Sequence, residues 1–153
     1  MTISLEDAVN LLQEQHETID EVVYAPRLHE YNRGTMHRPD LPAVFVIPRD
    51  GQWSNPMGIG CRSEDRLWEI TVLVADTQTG VETEFFPIVT KLIDAFGELY
   101  NGTSINTASG GDLYVVVDDE SPSDTGIDDD ISYADTPYYG FQFTVRIWRK
   151  AAS

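Results

Sequence analysis

The sequence predicts an α+β fold, a mostly antiparallel sheet with two helices packed on one face, plus extended loops. Two segments space their apolar residues as helices do, and several others alternate apolar and polar residues as strands do. The order is helix, strand pair, helix and then further strands, which is typical of an α+β layer architecture. The 153 residues are enough for one hydrophobic core, so we expect a single domain over residues 1–153.

Different signals predict the two helices. Ser4 can cap the first, because Asp7 follows three residues later and a helical apolar pattern begins directly after the cap. The second lies within Val81–Leu99, and because Pro87 is unfavourable deep inside a helix, we expect it to begin near Glu84 or to kink. Its apolar stripe consists of Phe85, Ile88, Val89, Leu92 and Phe96.

Four segments read as strands. They are Leu41–Pro48, Leu67–Ala75, Leu113–Val117 and the alternating segment Phe141–Trp148. The first is short, apolar and rich in β-branched residues, which favours a buried strand. In the second, the face that carries Trp68 is expected to lie in the core, and the other face is mixed and could meet a partner.

Two long polar segments separate these strands. Arg49–Asp65 is rich in Gly and is expected to be either a long hairpin connection or an extended arm. Asp118–Asp130 is the most acidic stretch and is most simply a solvated loop. It does not have the ligand spacing of an EF-hand, so we expect no dedicated calcium site there.

The charge of the chain excludes several classes of function. Ten basic residues against 26 acidic ones give a net charge of −16. Such a protein lacks the Lys and Arg that non-specific binding to nucleic acid or to an anionic membrane requires. Two interpretations of the dispersed acidic residues remain open: adaptation to a host that lives in high salt, or an ordinary acidic domain. A denaturation series in rising KCl distinguishes them, since loss of stability with KCl would contradict the first.

The chemistry-bearing residues give no positive evidence for an enzyme. His16, His29 and His37 are not spaced as metal ligands on a helix and are expected to be surface or turn residues. Cys61 is the single cysteine, so the chain has no intrachain disulfide and no multi-cysteine zinc site. No phosphate-binding glycine loop and no nucleophile elbow are present. We therefore expect no catalytic residues, no cofactor and no metal.

Four segments, in their order along the chain and in their pattern of apolar and polar residues, resemble those of the tail terminator, or tail-completion, proteins of long-tailed phages and related tailed viruses. The segments are LPAVFVI at 41–47, RLWEITVLV at 66–74, EFFPIVTKLIDAF at 84–96 and YYGFQFTVRIW at 138–148. The resemblance covers nearly the whole chain but includes no catalytic motif. It implies a virion structural protein, assembled in the host cytoplasm, that forms a ring of six copies at the head-proximal end of the tail tube.

In that role the partners would be further copies of this chain, the tail tube protein and the head–tail connector protein, with no membrane. DNA would pass through an acidic lumen without specific binding, because like charges repel.

Six apolar residues are candidates for the contacts between subunits or with the tube. Trp53, Met57 and Ile59 lie on the Arg49–Asp65 segment, where apolar side chains are costly unless a partner buries them. The other three, Leu67, Leu73 and Trp148, lie on the mixed faces of their strands, and a second-face core under the helices is an equal alternative for them.

The sequence is compatible with three other functions. The first is a neighbouring head–tail connector or neck protein, which would use a similar small α+β subunit. The second is a cytoplasmic enzyme that uses carboxylate clusters, and the third is a stand-alone ligand-binding or regulatory domain. The oligomeric state in the assembled particle is the observation that best separates them.

Overall fold

A computed structural model describes residues 4–31, 40–54, 62–76, 86–100, 113–115, 123–133 and 136–151. Within these ranges two α-helices, α1 (Leu5–His16) and α2 (Phe86–Leu99), accompany one antiparallel sheet. The five strands of the sheet are β1 (Ala43–Ser54), β2 (Arg62–Asp76), β3 (Leu113–Val115), β4 (Ser123–Tyr133) and β5 (Thr136–Ala151). The predicted α+β class is confirmed.

Both helices begin as local chemistry dictates. The Ser4 hydroxyl accepts a hydrogen bond from the Asp7 backbone N–H at 3.1 Å, which caps α1 as predicted. In the described chain α2 begins at Phe86, so Pro87 occupies the first turn, where its missing N–H costs nothing. The predicted start near Glu84 falls outside the described residues.

The sheet is built around β5, the longest strand. β5 pairs with β2 along one side, and with both β3 and β4 along the other, while β1 pairs with β2 at the opposite end of the sheet. β1 and β2 are longer than predicted, and they extend into the Arg49–Asp65 segment from both ends. The described parts of this segment are therefore two paired strands, and residues 55–61 between them lie outside the described residues.

The helices cover one face of the sheet with the main core, as predicted. Val9 and Leu12 of α1 and Val89, Leu92 and Phe96 of α2 are buried against it. Trp68 lies on this face and is fully buried, which confirms its predicted core position. Alternating residues of β5 complete the layer, and the Phe96 ring packs 5.2 Å from the Phe143 ring, centroid to centroid.

A group of uncharged polar side chains, here called the neutral cluster, joins both helices to β1. The cluster consists of Gln13, His16 and Tyr100. The side-chain amide of Gln13 donates to the Val44 carbonyl at 2.8 Å and to the Pro26 carbonyl at 2.9 Å. Its oxygen lies 2.9 Å from His16 Nδ1, and His16 Nε2 is hydrogen-bonded to the Tyr100 hydroxyl.

These bonds fix the state of the buried imidazole. The Gln13 oxygen can only accept, so Nδ1 carries the proton and Nε2 accepts from Tyr100. Burial lowers the pKa of His16 to about 3, because the charged form would lose its hydration. The prediction of a surface or turn position is therefore wrong for His16, whereas His29 is exposed as predicted and His37 lies outside the described residues.

The strand at Ser123–Tyr133 corrects the prediction of a solvated acidic loop. Residues 123–130 of the predicted loop form most of β4, which pairs with β5 through two irregularities in register. Asp has low strand propensity, but β5 offers a long row of backbone partners, and tertiary pairing overrides local preference. Residues 118–122 of the predicted loop lie outside the described residues.

Candidate functional site on the outer face of the sheet

The sheet face opposite the helices has two unlike halves. One half is a second core in which Ala43, Phe45, Leu73, Ile131 and Tyr138 are buried. Aromatic residues cover it, and the rings of Phe45 and Tyr133 stack at a centroid distance of 4.6 Å. The other half carries no such cover among the residues whose side chains are described.

Three apolar residues cross that other half diagonally, one on each of three neighbouring strands. Ile47 of β1 lies opposite Glu69, one diagonal step from Leu67 of β2. Leu67 in turn lies opposite Arg146, one diagonal step from Trp148 of β5. Diagonal neighbours on one face of an antiparallel pair are about 7–8 Å apart, so large side chains at these positions can touch. Ile47 is 36% exposed, and Leu67 and Trp148 are half-buried.

Two ion pairs flank this apolar diagonal. Arg49 lies 3.0 Å from Glu69 on one side, and Arg146 lies 2.7 Å from Asp65 on the other. We call the three apolar residues and these two pairs the outer patch. An apolar centre with a charged rim, held on hydrogen-bonded strands, is the usual arrangement of a protein–protein contact surface.

The six residues predicted from the sequence have different positions. Leu67 and Trp148 belong to the outer patch. Leu73 is fully buried in the second core, packed under tyrosines of other segments, so it has no surface with which to contact a partner in this conformation. The backbone of Trp53 pairs with Glu64 at the hairpin, and Met57 and Ile59 fall outside the described residues.

Ile47 is the patch residue that sequence reasoning missed. The Leu41–Pro48 segment was predicted to be buried, but its odd and even positions face opposite sides of the sheet. Val44 and Val46 are fully buried on the helix side, while Ile47 reaches the outer face. A period of two places Ala43, Phe45 and Ile47 on the outer face, but only the fold shows that the second core covers the first two and ends before Ile47.

A second charged group, the ionic cluster, lies on the helix side of the sheet at the hairpin end. Glu64 is fully buried and accepts hydrogen bonds from Arg66 at 2.7 and 2.9 Å and from Arg149 at 2.8 Å. Burial alone would raise the pKa of Glu64, but the bonds and charges of the two arginines lower it below its ordinary value. Arg66 also donates to the Arg49 carbonyl at 2.6 Å, so the cluster ties β1, β2 and β5 together.

The described side chains do not form a metal centre. No group of three or more His, Cys, Asp or Glu side chains in the described part of the chain could hold a metal ion. Neither α1 nor α2 is long and apolar enough to cross a membrane.

A comparison with protein-family models finds no match, and neither does a comparison with curated protein sequences.

Proposed function

We propose that this protein is a structural component of a virus tail: a subunit that forms a ring on the head-proximal end of the tail tube and joins the tube to the head connector. The ring would consist of six copies. The observation that carries the proposal is the outer patch, an apolar diagonal with charged margins on a sheet whose other face is filled by helices.

The patch has the features that a ring subunit needs. A ring is built from heterologous contacts, in which one surface of a subunit meets a different surface of the next. Such a contact must hold a fixed angle, and β1, β2 and β5 hold Ile47, Leu67 and Trp148 in fixed register. The ion pairs at its margin favour specificity over raw affinity.

The acidity of the chain is compatible with the same role. A net charge of −16 leaves little attraction for DNA, so a ring of these subunits could let DNA pass without holding it. In a host that lives in high salt, the same charge would keep unassembled subunits soluble.

The test replaces patch residues and follows assembly. Ile47→Asp and Leu67→Asp would place a carboxylate in the apolar diagonal, and Val23→Asp is the matched control because Val23 is 57% exposed and lies outside the patch. Circular dichroism checks that each variant folds. Cryo-electron microscopy of assembled particles should then show the ring at the tube end in wild type and the control, and its absence in the patch variants.

The position of the density decides between the proposal and its alternatives. Density beside the head connector and away from the tube would identify a connector or neck protein instead. No density in particles, together with a monomer under all conditions, would favour a non-viral binding domain. Normal rings in both patch variants would remove the outer patch as the assembly surface.

A shortened hairpin is a poorer test than these point variants. Deleting residues 51–60 would remove four residues of β1, including Trp53, whose backbone pairs with Glu64 of the ionic cluster. Loss of assembly would then not be separable from loss of folding.

A further inference from the structure

One flank of α2 presents a row of residues that the core uses only in part. Val89, Leu92 and Phe96 face the sheet and are buried. Ile88, Lys91, Ala95 and Leu99 follow at spacings of three, four and four residues, which places them along one neighbouring flank of the helix. Ile88 is 36% exposed, Lys91 is exposed, and Ala95 and Leu99 are half-buried.

Lys91 differs from the other cations whose side chains are described. Each arginine with a described side chain is held in an ion pair within the chain: Arg27 with Glu17, Arg49 with Glu69, Arg66 and Arg149 with Glu64, and Arg146 with Asp65. Lys91 makes no ion pair with any residue in the described ranges. In a chain of net charge −16, an exposed cation beside an exposed Ile88 is suited to a negatively charged partner.

The same flank of α2 supplies that negative partner at its other end. A cleft of about 340 Å³ lies between the last turn of α2 and the turn that follows α1. Ile19, Ala95 and Leu99 give it apolar walls, and Asp20, Glu21 and Glu98 give it carboxylates. A lysine side chain suits such a cleft, because its carbon stem packs on apolar walls while its ammonium reaches charged groups. The C-terminal end of α2 adds the negative end of the helix dipole.

We propose that two copies of this chain associate through α2, packed antiparallel about a two-fold axis near Ala95, with Lys91 of each copy in the cleft of the other. The midpoint of Lys91 and Glu98 and the midpoint of Ile88 and Leu99 both fall within two residues of Ala95. Antiparallel packing therefore brings Lys91 to Glu98 and Ile88 to Leu99, twice each, which is the self-complementarity of an isologous contact. The small side chain of Ala95 lets the helices approach at the axis.

The contact would be weak and favoured by salt. A helix of 14 residues is about 21 Å long, so the pair buries less than the roughly 1,200 Å² of a stable interface. Two copies that each carry −16 repel one another in dilute buffer. In molar KCl the Debye length falls to about 3 Å and this long-range repulsion is screened, whereas an ion pair enclosed in the cleft is screened much less. Dimers should therefore appear at high protein concentration as KCl rises.

Charge exchange tests the pairing directly. In sedimentation equilibrium, Lys91→Glu and Glu98→Lys should each weaken self-association by about tenfold or more, because each sets like charges together at both contacts. A mixture of these two variants restores opposite charges at both contacts and should associate as wild type does. The double variant Lys91→Glu/Glu98→Lys should do so as well. Phe86→Asp, on the opposite flank of the same helix, should leave the self-association constant unchanged.

Cross-linking gives a second, geometric readout. With the single cysteine replaced by Cys61→Ser, Ala95→Cys should form a disulfide-linked dimer under mild oxidation, since a disulfide needs Cα atoms within about 7 Å. Gly97→Cys is the matched control, because Gly97 is exposed and open space surrounds its Cβ position.

The proposal fails if the wild-type chain stays monomeric at every concentration of protein and KCl. It also fails if the mixed variants do not associate, or if Gly97→Cys cross-links as well as Ala95→Cys does. These outcomes are independent of the proposed viral role, because the two proposals use different surfaces. Ile47→Asp alters the outer patch and should leave self-association through α2 unchanged.

Discussion

The neutral cluster and the ionic cluster both bury polar groups on the helix side of the sheet, but they satisfy them differently. In the neutral cluster, Gln13, His16 and Tyr100 carry no charge, and each hydrogen bond joins an uncharged donor to an uncharged acceptor. In the ionic cluster, a fully buried Glu64 carboxylate is held by two guanidinium groups. The first joins helices to the sheet, and the second joins strands to each other.

This difference sets how each cluster responds to substitution and pH. A broken neutral hydrogen bond leaves an unpaired dipole, whereas a broken buried ion pair leaves an unpaired charge, which is costlier. Acid weakens both clusters, but over different ranges. The neutral cluster requires the neutral imidazole of His16, whose pKa in the unfolded chain is near 6.5. The ionic cluster requires the carboxylate of Glu64, whose pKa is below the ordinary carboxyl value.

The largest expected effect comes from removing the buried carboxylate charge. Glu64→Gln should lower the free energy of unfolding by about 3 kcal/mol, at the low end for a broken buried pair because Arg66 keeps some contact with water. Urea denaturation at neutral pH measures it. Glu69→Gln, which breaks an ion pair with the exposed Arg49, is the control and should cost less than about 1 kcal/mol. If both variants lost the same free energy of unfolding, burial would not make the Glu64 ion pairs contribute more to stability than the Glu69 pair.

The second-largest expected effect is the loss of stability in acid that His16 causes. Its pKa is about 3 in the folded chain and near 6.5 when unfolded, so the unfolded state binds more protons between these values and stability falls as pH drops below 6.5. At pH 5 the loss from this group is about 2 kcal/mol. His16→Phe should be less stable at neutral pH yet lose this part of the pH dependence.

The control for the histidine is His29→Gln, which alters an exposed side chain. Because it removes no buried contact, it should leave the free energy of unfolding at neutral pH within about 0.5 kcal/mol of wild type. An unchanged slope in His16→Phe would show that His16 is not the group responsible. Glu64 contributes at lower pH, because its lowered pKa means that its stabilising charge is lost only as pH falls below the ordinary carboxyl range.

Removing a single neutral hydrogen bond should have a smaller effect. Tyr100→Phe deletes the hydroxyl that donates to His16 Nε2 and leaves a buried acceptor without a partner. We expect a loss of about 1.5 kcal/mol by thermal or urea denaturation. A loss as large as that of Glu64→Gln would contradict the contrast between the two clusters.

The smallest effect concerns salt. The difference between wild type and Glu64→Gln should persist in molar KCl, because buried charges are poorly screened. The small effect of Glu69→Gln should disappear under the same conditions. Parallel denaturation series at low and molar KCl check both statements, and a Glu64 effect that fades with salt would place that carboxylate in contact with water.

The candidate site could be predicted only in part. Leu67 and Trp148 were identified from alternation, because a strand's period of two marks which residues share a face. Alternation does not say which part of a face a neighbouring segment will cover, so it could not separate Leu73, buried under tyrosines, from Leu67. Ile47 was missed because an apolar run suggests burial along its whole length, although on the outer face the second core covers Ala43 and Phe45 and leaves Ile47 exposed.

Local chemistry in the sequence determined the helix cap at Ser4, the core face of β2 around Trp68 and the α+β order, since caps and periodicities depend on residues a few positions apart. The tertiary structure alone decided the rest. Glu64 and Arg149 are 85 residues apart, and His16 and Tyr100 are 84 apart, so only the fold could pair them. The acidic residues of β4 became a strand for the same reason: β5 supplied backbone partners that no local preference reveals.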